Sequence, residues 1–261
     1  MCGSTIAECG IVRYGCQSAF GVCSGPEPAP ARGSYPPLNP ALAASVINNC
    51  TIPGMMAMTF DDGPGALISQ LLDLLAEYGV KATFFINAFN NGDITTPYDA
   101  SNLFYAYSDG HQIASHTYDH LDLSTLSIDE VYSQMYRNEN AIYKVIGVKP
   151  KYMRPPYGSY TPTTLTALGS WGYKVIWQNL DSQDYAHQNS DNQTKLDEQA
   201  YSSTISQFPV PQTSFISLQH DFVSNTVLEW VEEVIQTYTA KGYIFGTVGD
   251  CLGETRENWY K

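Results

Sequence analysis

Short apolar runs alternate with longer amphipathic segments along most of the chain. Each run holds four to six residues and has the length and composition of a buried strand. Between the runs, apolar side chains recur at helical spacing, as in residues 66–78, which carry six Leu or Ile side chains. Strands alternating with helices imply a parallel sheet with crossover helices. We predict seven strands, near residues 55–60, 81–86, 112–115, 151–154, 173–178, 214–219 and 243–248.

Helix boundary signals support the same interpretation. Ser127 and Glu130 form a capping-box sequence, and Pro162 follows a threonine at a predicted helix start. Gly147 and Gly242 stand where two helices are expected to end. Seven strands favour an α/β fold of the distorted (β/α) barrel type, with one unit fewer than the eightfold pattern. A doubly wound open sheet is the alternative that the sequence leaves open.

The chain divides into three parts by composition. Residues 1–25 contain four cysteines among Gly and Ser and lack a periodic apolar face, so we expect disulfides to hold this small segment. Residues 26–40 are rich in proline, which predicts a semi-rigid, extended linker. Residues 41–261 carry the alternating pattern and are predicted to form the main domain.

The charge balance limits the possible partners. The 26 acidic and 13 basic residues give a formal net charge of −13, which opposes binding of nucleic acid. A neutral or cationic partner is easier to accommodate. No apolar run approaches the length that spans a bilayer, and no basic and then apolar leader opens the chain. We expect a soluble monomer that contacts neither nucleic acid nor a membrane.

The six cysteines, the first four of which are evenly spaced by seven residues, indicate disulfides and an oxidising compartment. Zinc binding by this cluster is the competing interpretation, although no Cys-x-x-Cys pair is present. A bond between Cys50 and Cys251 would close a loop of about 200 residues and contribute about 5 kcal/mol to stability. The alternative is two unrelated thiols. Acceptor sequences for N-glycosylation at Asn49 and Asn192 also suit a secreted protein.

Polar residues with metal-binding potential follow two of the predicted strands. Asp61 and Asp62 end the first strand, and adjacent carboxylates are best tolerated where a cation or an arginine relieves their repulsion. Asp-Gly-Pro is also the chemistry of a plain turn. His116 and His120 follow the third strand and, four residues apart, can reach one metal ion. Two histidines and one carboxylate leave coordination positions open for water or substrate.

Three further polar segments follow predicted strands. Arg154 precedes two prolines that restrict the backbone, and its guanidinium could hold a carboxylate bidentately. Asp184 lies in an acidic loop at residues 181–185, and His220 ends the sixth strand. Parallel α/β barrels place catalysis at the carboxyl ends of their strands, so we expect these side chains to share one site with the aspartates and histidines above.

Five ordered motifs together resemble the polysaccharide deacetylases of carbohydrate esterase family 4, which share the NodB-type domain. They lie at residues 59–64, 116–120, 154–157, 181–185 and 218–220, and residues 82–85 and 110–114 are similar to strand segments of the family. Tyr185 stands where many members carry tryptophan, a difference that concerns a groove wall and leaves the chemistry intact.

The resemblance implies a role for each motif. Asp62, His116 and His120 bind one divalent metal ion, usually zinc, with cobalt or another divalent ion as the alternative. Asp61 is the general base, and Arg154 orients it.

The remaining motifs complete the implied reaction. The backbone N–H of Tyr157 holds the oxyanion, and His220 is the general acid, tuned by Asp184. Leu218 lines a pocket for the acetyl methyl group, and Tyr185 forms part of the groove wall.

Residues 1–25 resemble the latter half of a hevein-like chitin-binding module and are interpreted as a truncated one. The resemblance rests on Cys2 and the three residues after it, on Cys9, and on residues 16–23. It implies a bond between Cys16 and Cys23, whereas Cys2 and Cys9 either pair with each other or stay free.

Both resemblances point to the same polymer. They imply metal-dependent hydrolysis of N-acetyl groups in chitin or chito-oligosaccharides, releasing acetate and leaving chitosan, by a secreted or cell-wall-associated enzyme. An acetylxylan esterase or a peptidoglycan deacetylase is an alternative within the family. A chitin-binding protein without activity is an alternative of another class.

Overall fold

The structure, a computed structural model, describes residues 26–188 and 190–261. The predicted hevein-like module at residues 1–25, with the pairing of Cys16 and Cys23 and the state of Cys2 and Cys9, lies outside the described residues. The division into module, linker and main domain therefore stays a prediction.

Parallel strands form two sheets, and every predicted strand is present. The strands are β1 Val46–Ile47, β2 Met55–Ala57, β3 Thr59–Gly63, β4 Thr83–Ile86, β5 Gln112–Ser115, β6 Tyr152–Met153, β7 Lys174–Ile176, β8 Leu180–Asp181, β9 Phe215–Leu218 and β10 Ile244–Gly246. Their order is β1-β7-β6-β5-β4-β3 in one sheet and β10-β2-β9-β8 in the other. The short strands β1 and β8, of two residues each, are not evident from the sequence pattern.

Two chain segments belong to both sheets and connect them into a distorted barrel. Residues 55–63 pass from the second sheet, as β2, to the first, as β3, and residues 174–181 pass from the first sheet, as β7, to the second, as β8. A parallel bridge between Asp61 and His220 continues the pairing of β3 toward the end of β9. The predicted α/β barrel is thus confirmed, and the open-sheet alternative is not needed.

Helices surround the strands, and the signals at their ends act as predicted. The Ser127 hydroxyl accepts a hydrogen bond from the Glu130 N–H in a complete capping box, and Gly147 ends that helix in the left-handed region with φ 75°. Within the described residues, no helix is long and apolar enough to cross a membrane. The helices are α1 Ile68–Glu77, α2 Pro97–Ser108, α3 Ile128–Ile146, α4 Pro162–Ser170, α5 Asp184–His187, α6 Gln193–Ile205, α7 Val231–Ala240 and α8 Val248–Cys251.

The largest apolar cluster lies between the strands and helices α1, α2, α3, α6 and α7. Phe60 of β3 stacks on Phe84 of β4 with ring centroids 5.4 Å apart, and both side chains are buried. Burial of one such side chain stabilises the fold by about 1.5–3 kcal/mol. Packing of Phe60 in this cluster therefore holds β3, the strand that carries Asp61 and Asp62, in place.

Residues 26–40, predicted as an extended linker, run across the outer face of α3 and α4. The Glu27 carboxylate is buried and pairs with Lys144, while Arg137 Nε donates to the Glu27 carbonyl at 2.8 Å. Farther along, the Tyr35 ring lies 6.2 Å from that of Trp171. Proline content predicts an extended backbone but carries no information on these contacts.

The predicted bond between Cys50 and Cys251 is confirmed. The two cysteines are 201 residues apart in sequence and join the segment before β2 to the end of α8. The Thr51 N–H also donates to the Cys251 carbonyl at 2.9 Å. The bond closes nearly the whole barrel into one loop.

Removal of this bond is expected to lower the free energy of unfolding by up to about 5 kcal/mol, because the unfolded chain regains the freedom that the loop takes away. Denaturant unfolding of Cys50→Ser, Cys251→Ser and the double variant measures the loss. Each single variant should equal the double one, since either change removes the same bond. An unchanged unfolding midpoint in the double variant would contradict this expectation.

Candidate active site

The carboxyl ends of the strands surround one cleft of about 460 Å³. Every site residue named from the sequence lines this cleft, apart from the buried Asp184 behind it and the cysteines. Four residues that sequence reasoning missed also line it, namely Gly158, Trp177, Gln178 and Phe222, together with Pro155 and Asp181 of the predicted motifs. Trp177 and Gln178 lie at the end of a predicted strand, which is the signal that could have found them.

A β-bulge lets two adjacent carboxylates face the same cleft. Side chains alternate between the two faces of a regular strand, so neighbours point in opposite directions. The pairing of β3 with β4 shifts register between Asp61 and Gly63, and Asp62 takes a left-handed backbone conformation with φ 70°. Bulges redirect side chains in this way and are frequent next to active sites.

Positive φ angles concentrate around the cleft. Among the described residues, five other than glycine have positive φ, and all belong to or adjoin the predicted motifs: Asp62, Thr117, His120, Tyr157 and Gln183. Such conformations cost about 1–3 kcal/mol each and persist where the surroundings enforce them. Their clustering marks the cleft as a functional site independently of the sequence motifs.

Asp62, His116 and His120 form the one group of potential metal ligands found in the described part of the chain, with ligand atoms within 4.8 Å of one another. Asp62 Oδ1 lies 3.2 Å from His116 Nε2 and 3.0 Å from His120 Nε2. This oxygen is buried and has no hydrogen-bond partner. Burial raises the pKa of Asp62, but its contacts with the two imidazoles lower this pKa by more than burial raises it. The net shift is therefore downward.

The group fits a divalent metal ion. Two imidazole nitrogens and one carboxylate oxygen are the donors that zinc-like ions prefer. A positive ion would also compensate the buried carboxylate oxygen of Asp62, which has no hydrogen-bond partner. His116 Nδ1 lies 2.8 Å from the Arg154 carbonyl, which can only accept. Nδ1 therefore carries the proton, and Nε2 is left free to face the ion.

Asp61 is held by a buried arginine. Arg154 Nη1 donates to Asp61 Oδ1 at 2.7 Å and to Thr59 Oγ1 at 2.9 Å. The expected bidentate contact is wrong, because Arg154 Nη2 is directed to the Ser217 carbonyl, 3.4 Å away. The guanidinium is 1% exposed and lies 4.3 Å from the centre of the Phe85 ring, so it cannot turn toward solvent.

His220 and Asp184 form a second charged pair at the cleft. His220 Nδ1 lies 2.7 Å from Asp184 Oδ1, and the His220 N–H donates to Asp184 Oδ2 at 2.8 Å. Burial lowers the pKa of His220, but the charge and hydrogen bond of Asp184 outweigh it and raise that pKa to about 9. The imidazole is therefore protonated at neutral pH.

The remaining predicted residues line the rim and floor of the cleft. The Tyr157 ring packs edge-on against His120 with centroids 4.6 Å apart, and its side chain is exposed. Tyr185 packs edge-on against His220 at 5.6 Å and is half exposed, whereas Leu218 is buried.

Asp221 packs against Gly63 and Gly65 of the bulged turn. It was not identified from the sequence. A Cβ atom on Gly63 would collide with its carboxylate, and one on Gly65 would lie 2.6 Å from its carbonyl oxygen. Burial raises the pKa of Asp221 to about 7. The two glycines beside Pro64 are the sequence signal for this close approach.

The other described histidines lie outside the cleft. His111 Nδ1 accepts a hydrogen bond from the Ala82 N–H at 3.1 Å, and burial lowers its pKa to about 3, so it is a neutral core residue. His187, at the end of α5, pairs with the buried Asp197. His187 is not part of the metal group, so it serves as a control for metal binding.

The fold places this chain in the class of parallel α/β barrels. Its strand ends bring together a candidate metal group, a buried Asp–Arg pair and a buried His–Asp pair, which are the groups that metal-dependent hydrolysis needs. Comparison with known proteins narrows the class to one family.

Residues 48–176 match the family model for polysaccharide deacetylases. The chain is 43% identical over 218 residues to a chitin deacetylase of Pestalotiopsis sp, covering 83% of this chain and 70% of that protein. It is 41% identical over 215 residues to a chitin deacetylase of Colletotrichum lindemuthianum, covering 82% of this chain and 86% of that protein. The structure of the chitin deacetylase from this fungal pathogen matches with a TM-score of 0.80 at 40% identity, covering 83% of this chain and 95% of that chain. The chain belongs to the polysaccharide deacetylase family.

Loss of one candidate ligand is expected to remove metal binding. His116→Ala should lower the affinity for Zn²⁺ or Co²⁺ by at least about 100-fold, because the site keeps only two of its three protein ligands. Titration of the metal-stripped protein and elemental analysis after dialysis measure this loss. His187→Ala is the matched control and should bind metal as the unsubstituted chain does. Equal metal content in both variants would rule out His116 as a ligand.

Proposed function

We propose that the chain hydrolyses the N-acetyl groups of N-acetylglucosamine residues in chitin or chito-oligosaccharides, releasing acetate and leaving free amines. The observation that carries this proposal is that one cleft is lined by the metal group, by a carboxylate held by a buried arginine, and by a histidine paired with a buried carboxylate. Amide hydrolysis needs such a base and such an acid. The identity to two proteins named chitin deacetylase supports the substrate class.

Asp62, His116 and His120 would hold the metal ion. When bound, a zinc-like ion supplies Lewis-acid polarisation of the amide carbonyl and lowers the pKa of water beside it.

Asp61 would act as the general base. Its Oδ1 is occupied by Arg154, so Oδ2 is the oxygen that is left to take a proton from the attacking water. Oδ2 lies 3.9 Å from His116 Nε2, which places it at the edge of the metal group. Arg154 keeps the carboxylate from rotating, because its guanidinium is buried and held by Thr59 as well.

His220 would act as the general acid. As water oxygen bonds to the carbonyl carbon and the C–N bond breaks, the leaving nitrogen needs a proton, which His220 Nε2 can donate. Asp184 binds Nδ1 and keeps the imidazole protonated with Nε2 as the free donor. The Tyr157 N–H would stabilise the developing oxyanion.

The substrate contacts and the surroundings fit the same proposal. Leu218 would contact the acetyl methyl group, and Tyr185 would form the groove wall. A net charge of −13 accommodates a cationic product. The disulfide suits a secreted or cell-wall-associated enzyme, which we expect to act as a monomer. Residues 1–25 would form a truncated hevein-like module, residues 26–40 its linker, and residues 41–261 the catalytic domain.

Acetate release from defined substrates tests this proposal. The kcat/KM for chitotetraose should exceed that for acetylated xylan and for peptidoglycan fragments. A higher value for either of those substrates would replace the proposed activity by an esterase or a peptidoglycan deacetylase. Binding of chitotetraose without release of acetate would favour a chitin-binding protein without activity.

Substitution of the proposed base or acid should remove activity without emptying the metal site. Asp61→Asn and His220→Ala are expected to lower kcat by at least about 100-fold, because each loses one proton transfer. Kinetics and elemental analysis on the same preparations separate the two effects. Asp109→Asn, on the surface and outside the cleft lining, is the matched control. More than a tenth of the original kcat in either cleft variant would refute its assigned role.

The pH dependence of kcat should report on His220. Its pKa is raised in the folded protein, so the acid is present below about pH 9 and is lost as the pH rises through that value. The charges of Asp61 and Asp62 also raise the pKa of His220, and a bound cation would offset their effect. The alkaline limb of the kcat–pH profile should therefore lie at or below pH 9. Asp184→Asn removes the main stabilising charge and should shift this limb to lower pH. An unshifted limb would show that another group is the acid.

A further inference from the structure

Thr226 contacts the His220–Asp184 pair from a part of the chain that carries no motif. Its hydroxyl donates to Asp184 Oδ2 at 2.8 Å, and both side chains are fully buried. We propose that Thr226 is a positioning residue, which holds the Asp184 carboxylate so that its other oxygen faces His220 Nδ1. This inference rests on the proposed function of His220 as the acid.

The contacts of Asp184 show why this hydroxyl matters. Oδ1 faces His220 Nδ1 at 2.7 Å and accepts from the Tyr185 N–H at 2.8 Å. Oδ2 accepts from the His220 N–H and from Thr226 Oγ1, both at 2.8 Å. The two backbone donors would be supplied by any residue other than proline at positions 185 and 220. Among these contacts to the carboxylate, only that of Thr226 depends on a side chain beyond the pair itself.

Thr226 is itself held rigidly. It begins a π-helical turn, Thr226–Trp230, that runs into α7, and such turns are frequent at functional sites. Trp230 of this turn is fully buried and packs edge-on against Tyr201 with centroids 5.1 Å apart. The turn is therefore anchored in the main core, and the hydroxyl has a fixed position relative to β9.

A second contact orients the hydroxyl proton. Gln193 Nε2 lies 3.4 Å from Thr226 Oγ1 and 3.3 Å from Asp197 Oδ2. Because the Gln193 amide nitrogen donates, the Thr226 hydroxyl oxygen accepts this hydrogen bond and donates its own proton to Asp184. Asp197 in turn pairs with His187 at 2.8 Å. The geometry thus gives Thr226 one direction in which to donate.

Substitutions that differ only in the hydroxyl test the proposal. Thr226→Val keeps the shape and removes the donor, and should lower kcat for chitotetraose by about 10- to 100-fold, the usual effect of a hydrogen bond to a charged group. KM and Zn²⁺ affinity should stay within about threefold, because neither substrate nor metal touches Thr226. Thr226→Ser keeps the donor and should retain kcat within about threefold. Equal losses in both variants would overturn the proposal.

A double-mutant cycle identifies the group through which Thr226 acts. In an Asp184→Ala background no side-chain acceptor remains for the hydroxyl, so Thr226→Val should cost less than about threefold more in kcat. The same 10- to 100-fold loss in both backgrounds would show that Thr226 acts elsewhere. If Thr226→Val fails to fold, Thr226→Ala replaces it in the cycle, with Thr226→Ser again as the control.

A spectroscopic measurement separates this inference from the proposed function. The Nδ1 proton of His220, held between the imidazole and a buried carboxylate, should give a low-field signal in the proton NMR spectrum that is absent in His220→Gln. The signal should shift or vanish in Thr226→Val and persist in Thr226→Ser, whether or not the protein releases acetate. An unshifted signal in Thr226→Val would overturn the positioning role, whereas a shift without any acetate release in the unsubstituted protein would overturn the proposed function alone.

Discussion

The repulsion between Asp61 and Asp62 is the constraint on which the site depends. Both carboxylates are buried at one strand end, where loss of hydration costs several kcal/mol per ion. Arg154 compensates Asp61 through a contact of 2.7 Å, and two imidazoles with a place for a cation compensate Asp62. The two carboxylates therefore have different partners, which is why equivalent residues can take different roles.

The backbone is arranged to serve this pair. The bulge in β3 turns Asp62 toward the histidines, and the space behind the turn is filled by Asp221 rather than by side chains on Gly63 or Gly65. His120 also has a positive φ, so the metal group is assembled from conformations that cost energy locally. The buried core beneath β3 and the disulfide supply the stability that maintains them.

Much of the fold and the site could be predicted from the sequence, because period and position at strand ends are local signals. The seven strands, the capping box at Ser127 and the motif residues are of this kind. The strands β1 and β8 are too short to show a pattern, and the docking of Glu27 depends on residues more than 100 positions away. The role of Thr226 could not be predicted for the same reason, because its contact with the Asp184 carboxylate forms only when the chain folds.

The distance between the proposed base and acid is set by main-chain pairing. The Asp61 N–H donates to the Gln219 carbonyl at 2.9 Å, and Asp61 and His220 form a parallel bridge. These contacts use backbone atoms alone, so substitution of either side chain leaves the frame in place. The orientation of each group instead depends on one buried partner, Arg154 for Asp61 and Asp184 for His220. The spacing of the two groups and their orientation are thus controlled by different contacts.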